Sequence, residues 1–232
     1  MRTDEQIAEI KKRVSDPYWI DDFITKDEIA YLIDLYNKID NKLHKLTGPV
    51  TSDLDFSDPV LADIQKRIAK VIGEFTVTSA FFFKTTTPHI IHNDDTFPLP
   101  TGVYKGINLP LLVERDPGTR GTPKLCFFDQ FYFHGPAKFF NGNDYFPTHY
   151  NKQIYEYSDV DGKVSEPFDE DLRRKHLSHL KREWLEGLSL WGMIDWVPGS
   201  ALFFDSTRLH CASNFKKMGI TSKLAISIFT KV

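Results

Sequence analysis

The feature that most constrains this chain is a change of period at Phe75. Before it, apolar residues recur every three or four positions; after it come runs such as FTVTSAFFFKTTT, rich in β-branched and aromatic residues that suit a pleated surface. The first part reads as helical. Ile7, Ile10 and Val14 share one face until Asp16-Pro17, where the proline disfavours continuation. Thr25 with Glu28 forms a capping box ahead of Ile29, Leu32, Ile33, Tyr36 and Ile39. Asp58-Pro59, a good N-cap with proline at the first helical position, opens a third helix through Leu61, Ile64, Ile68, Val71 and Ile72 to Gly73.

After Phe75 the predicted strands are 75–86, 89–94, 103–113, 124–133, 200–205 and 221–230, separated by turn-rich pieces such as ERDPGTRGTP and FNGNDYFP. One helix interrupts them, in DEDLRRKHLSHLKREWLEGL, where Leu172, Leu180, Trp184, Leu185 and Leu188 recur at helical intervals and Gly187 marks the end. Helices first and strands afterwards predict an α+β, mainly β chain. The natural candidate is a double-stranded β-helix, the cupin-like jelly roll, buttressed on one face by the N-terminal helices. At 232 residues this is expected to be one domain, with 1–74 as helical support and 75–232 as the core.

Composition narrows the function classes. The 19 Phe, 9 Tyr and 4 Trp can fill an ordinary core, and the net charge of -3 with no basic run disfavours a nucleic-acid partner. No stretch of about 18 apolar residues suggests a membrane span, and the charged N-terminal stretch lacks the apolar segment of a secretion signal. Two cysteines, Cys126 and Cys211, make no disulfide framework, so a reducing cytoplasm is the expected compartment.

The chemistry concentrates in two places. In HIIHNDD, His92 and Asp94 stand two apart on a predicted strand or strand exit, which points both side chains to one side. Two imidazoles and a carboxylate on one face of an octahedron hold iron(II) while leaving positions open for oxygen chemistry, so a third ligand has to come from elsewhere. The distal segment WVPGSALFFDSTRLHCASNF offers a turn at Pro198-Gly199, a strand through Phe204, and then His210.

Together these pieces resemble the 2-oxoglutarate and iron(II)-dependent oxygenases, in particular the prolyl-hydroxylase-like branch. PYWIDDFITKDEIAYLIDLY is similar to that family's entry strand and first helix, HND to its His-x-Asp element, and PGSALFFDSTRLHCASNF to the segment carrying its distal histidine. The resemblance implies Fe(II) on His92, Asp94 and His210, with 2-oxoglutarate as cosubstrate and O2 as oxidant. It also implies that Lys223, thirteen residues after His210, takes the far carboxylate of the cosubstrate. The implied reaction is hydroxylation of an unactivated C–H of a small molecule or amino-acid side chain, with release of succinate and CO2. Asp94 stands where halogenating relatives have a small residue, which makes hydroxylation the default.

Two departures stand out. The interval between Asp94 and His210 is long, so 134–190 reads as an insertion. Where many relatives place a tyrosine about ten residues before the first metal histidine this chain has Phe82, and Asn108 is the proposed substitute. A buried ammonium facing a carboxylate gives a charge-assisted hydrogen bond. On the last strand Lys223 shares its face with Ser227, a further candidate for cosubstrate binding, while Leu224, Ile226 and Ile228 point into packing.

Other residues carry competing readings. His89 would face away from His92 on a strand and is read as a supporting or packing residue. His176 and His179 are read as solvated, and Cys211 as a small buried thiol. The strand 127–133 reads as core and the loop from Lys138 to Tyr145 as a pocket rim. Arg208 either contacts an acidic substrate group or pairs with Asp205. Two alternatives to a small-molecule hydroxylase remain: a protein or peptidyl hydroxylase, and a non-catalytic cupin-like binding module. The sequence does not set the oligomeric state.

Overall fold

A computed structural model describes residues 2–39, 54–95, 104–139, 152–154 and 160–232. The helical third forms as its caps direct. Helix α1 (Asp4–Lys12) and α2 (Lys26–Lys38) open on full capping boxes at Thr3 and Thr25. Helix α3 (Pro59–Ile72) opens on Asp58, whose carboxylate accepts from the main chain of Val60 and Leu61, and stops at Gly73, where φ is +82°.

Two sheets follow. The larger has the order β1-β8-β3-β10-β2, built from β1 (Tyr18–Ile20), β2 (Thr76–Thr85), β3 (Lys105–Arg115), β8 (Ala201–Asp205) and β10 (Ile220–Lys231), all antiparallel. The smaller has β7 (Leu190–Asp195), β4 (Lys124–Phe131) and β9 (Arg208–Ala212), also antiparallel. A short pair, β5 (Ala137–Phe139) and β6 (Lys152–Ile154), runs parallel. Two facing antiparallel sheets backed by helices are the expected jelly roll.

Packing divides the described residues into four layers. Leu32, Leu61, Ile64 and Ile68 of α2 and α3 bury against Phe82, Ile107, Leu109, Phe203, Ile226 and Ile228 on the outer face of the large sheet. Each such side chain contributes about 1.5–3 kcal/mol of burial. Between the sheets, Leu202 and Phe204 meet Leu125, Phe127 and Ile194. The outer face of the small sheet, with Cys126, Phe128 and Cys211, is covered by Leu177, Leu180, Leu185 and Leu188. The stretch read as an insertion thus supplies, in its described part, a lid of core side chains over that sheet.

Several expectations need correction. Residues 89–94 form no strand; His92 makes only isolated bridges, to His210 and to Lys138. The helix expected through 188 is a two-turn α4 (Glu170–His176) followed by a 3-10 turn (Arg182–Leu185), because Leu177 caps α4 and the chain turns to bury Leu177 and Leu180 separately. Strands β7 and β9 were not anticipated. Every residue of β9 is buried, the polar Arg208 and His210 included, so neither side of the strand faces solvent as an alternating strand's polar side would.

Candidate metal centre

His92 and His210 sit directly opposite one another. The His92 N–H donates to the His210 carbonyl at 3.0 Å and the reverse bond is 2.9 Å, the pattern of a hydrogen-bonded antiparallel pair that sends both side chains to one side. Their ring centroids are 4.3 Å apart. Asp94 reaches the same point because its N–H is held by the Ser206 carbonyl at 2.8 Å. One carboxylate oxygen lies 3.4 Å from His92 Nε2 and the other 3.4 Å from His210 Nε2.

The donor set suits a divalent metal. Nδ1 of His92 lies 2.8 Å from the Ile90 carbonyl and Nδ1 of His210 3.0 Å from the Arg208 carbonyl, so both carry their proton there and leave the Nε2 lone pair free. Burial alone would raise the Asp94 pKa, but the facing His210 and His92 rings overcome it and hold the carboxylate well below its usual range. Burial lowers His92 from its ordinary value. At neutral pH the set is therefore an anionic carboxylate with a neutral His92, the forms that bind metal. Its ligand atoms all lie within 4.8 Å of one another, and among the described residues no other such group of three occurs.

The surroundings are tight. A Cβ at Gly106 would come 2.6 Å from Phe204 Cε2 and 3.3 Å from Asp94 Oδ2. Phe204 in turn stands 4.8 Å from the His210 ring and 5.3 Å from Phe127. His89 does not face away: its ring lies tilted against that of His92, centroids 4.1 Å apart, and burial pushes its pKa well down.

Lys223 is 5% exposed on the inner face of β10, its Nζ 4.7 Å from the Trp196 ring and 5.0 Å from the Phe215 ring. Among the described residues it makes no hydrogen bond or ion pair. Burial brings its pKa down to about 8. Ser227, two steps further on the same face, donates to Asn108 Oδ1 at 3.0 Å, and Asn108 shares its face of β3 with Gly106.

Three sequence expectations change here. Phe82 pairs with Ile226 and points to the helices, meeting Tyr36 edge-on, so it is not the residue that stands in for the family's tyrosine. Phe81 and Phe83, opposite Ser227 and Ala225, occupy the inner face instead. Arg208 does not pair with Asp205: it donates to the Phe128 carbonyl at 2.9 Å and to Asp16 at 2.8 Å, with its guanidinium 4.4 Å over Phe131. Lys138 is 4% exposed beside His92 rather than on a rim, while Tyr145 lies outside the described residues. No sequence signal pointed to Arg2, whose guanidinium grips Asp95 beside the site.

No protein-family model matches the sequence, and no curated relative does. Solved structures do match. HygX from Streptomyces hygroscopicus, with nickel and 2-oxoglutarate bound, has a TM-score of 0.50 at 12% identity, over 99% of this chain and 86% of that one. The non-heme alpha ketoglutarate dependent epimerase SnoN, from nogalamycin biosynthesis, has a TM-score of 0.50 at 13% identity, over 97% of this chain and 82% of that one. No helix among the described residues is long and apolar enough to cross a membrane. With its facing sheets and buttressing helices, the chain has the fold of these two proteins.

Proposed function

We propose that this protein is an iron(II)- and 2-oxoglutarate-dependent dioxygenase that hydroxylates an unactivated C–H bond of a small molecule or an amino-acid side chain. One observation carries the reading: two Nε2 atoms, each freed by a tethered Nδ1, face different oxygens of one ionised carboxylate. His92, Asp94 and His210 are then the residues that would hold Fe(II). When bound, the metal and 2-oxoglutarate supply the oxidative chemistry, in which the keto acid and O2 become succinate and CO2 as one oxygen atom enters the substrate.

The chain's own groups bind and orient. Lys223 presents a buried ammonium that meets no anion among the described residues, which suits the far carboxylate of 2-oxoglutarate and fixes which end of the dicarboxylate faces the histidines. Asn108 and Ser227 add donors on the same inner wall. Phe127, Phe204 and Trp191 keep water from that space and so strengthen each charged contact. HygX is solved with 2-oxoglutarate, and SnoN belongs to a biosynthetic route, which favours a small-molecule substrate over a protein target. The whole chain acts as one domain, 1–74 supporting 75–232, and its buried free thiols Cys126 and Cys211 fit a reducing cytoplasm.

The test is an anaerobic titration with Fe(II) and 2-oxoglutarate, watching for the weak visible charge-transfer band of a chelated keto acid, followed by succinate release on admitting O2. Both signals are expected in the wild type and lost in His210→Ala. Succinate release that survives His210→Ala, or none under any condition, refutes the enzyme and favours a binding module.

A further inference from the structure

The stretch carrying His92 and Asp94 has no regular ladder, so side chains must give it shape. Asn93 is wholly buried between the two ligands. Its amide donates to the Tyr132 carbonyl at 3.1 Å and the Gly135 carbonyl at 2.9 Å, and its oxygen accepts from the Ala137 N–H at 2.8 Å. Asp95, 2% exposed, is the next tie. Both of its oxygens take Arg2, Nη2 reaching Oδ1 at 2.9 Å and Nη1 reaching Oδ2, while Nη1 also donates to the Phe133 carbonyl at 2.9 Å. Residues 92–95 therefore alternate ligand, tie, ligand, tie, and both ties end on the same loop, 132–137.

We propose that Arg2 is a positioning residue for the metal centre. It clamps Asp95 with a two-pronged guanidinium contact and thereby fixes the direction in which the adjacent Asp94 offers its carboxylate. A fork of this kind sets angle as well as distance, which a lysine's single ammonium does not. Without it Asp95 loses a two-pronged partner inside a buried site, a loss the chain can relieve by moving. Moving Asp95 turns the peptide it shares with Asp94. The inference rests on reading His92, Asp94 and His210 as a metal centre.

The probe is Co(II), read by calorimetry for affinity and by its visible spectrum for ligand geometry, on wild type, Arg2→Ala, Arg2→Lys and His210→Ala. Arg2→Ala is expected to weaken Co(II) binding at least about tenfold and alter the spectrum, with Arg2→Lys recovering part of the loss. Metal-free thermal melts run alongside, because a merely structural role would lower the melting temperature and leave affinity and spectrum alone. That pattern, with Arg2→Ala affinity within about twofold of wild type, overturns the proposal. Should Arg2→Ala not fold, Arg2→Lys decides, with about threefold weaker binding expected and unchanged binding refuting. A wild type that does not bind Co(II), or a His210→Ala variant that binds equally well, refutes the metal-centre reading itself and this inference with it.

Discussion

Replacing Lys223 by methionine should make the metal-free protein more stable and the cosubstrate complex weaker. Burial brings the ammonium from 10.5 to about 8, and no anion answers it among the described residues. Each tenfold loss of proton affinity corresponds to about 1.4 kcal/mol, so the buried charge costs about 3 kcal/mol of folding stability. The faces of Trp196 and Phe215 return about 0.5–1 kcal/mol each, which leaves a net penalty of about 1–2 kcal/mol. A methionine of similar length removes the charge and fills the same space between the rings. Because the folded-state pKa is lowered, the penalty is fully present below pH 8. It is relieved as pH rises through 8 towards 10.5, where the folded protein alone has shed the proton. Guanidinium unfolding of the metal-free protein should therefore show Lys223→Met more stable by about 1–2 kcal/mol at pH 7, with the advantage shrinking above pH 8. Added 2-oxoglutarate with a divalent metal should raise the melting temperature of wild type much more than that of the variant. A variant less stable than wild type at pH 7, or one stabilised equally by 2-oxoglutarate, would show that Lys223 is not a charge held in reserve for a carboxylate.

Gly106→Ala drives a methyl into Phe204 and Asp94 Oδ2, so metal affinity measured by titration should fall about tenfold although the added methyl otherwise stiffens the unfolded chain; unchanged affinity would mean the wall yields. His179 is held down to about 4 by burial, offset only in part by the main chain of His89. Its stability contribution is lost as pH falls through 6.5, where the unfolded chain takes up a proton that the folded one refuses, and levels off below about 4. Between pH 7.5 and 5.5 this amounts to about 1.4 kcal/mol, so His179→Gln should flatten the urea-measured fall in stability by about that much; an unaltered pH slope would refute it.

The helices were legible because their signals are local: Thr25 with Glu28 and Asp58 with Pro59 lie within a turn of the ends they fix. The inner and outer faces of β10 were legible too, since Leu224, Ile226 and Ile228 alternate with Lys223, Ala225 and Ser227. Strand register was not. Phe82 sits one residue from the inner face, and a count along the sequence cannot separate it from Phe81 or Phe83 without knowing that Ser227 lies opposite Phe81. The His-x-Asp spacing identified two of the three clustered side chains, but for a reason other than a strand: the main chain of His92 borrows the ladder of β9, and Asp94 hangs from the Ser206 carbonyl. The Arg2–Asp95 contact joins residues far apart in the chain and leaves no local trace.

Asp94 and His92 come from one irregular stretch and His210 from the small sheet, while Asp94 Oδ2 also leans on the space left open at Gly106 of the large sheet. An ion held there would be a cross-link between the irregular stretch and the small sheet as well as a reagent. Ligand binding to the folded state alone adds about 2.7 kcal/mol of stability at a hundredfold excess over Kd. Resistance to heat and to proteases would then follow metal supply, and the amount of this protein surviving in a cell would itself register how much iron is at hand.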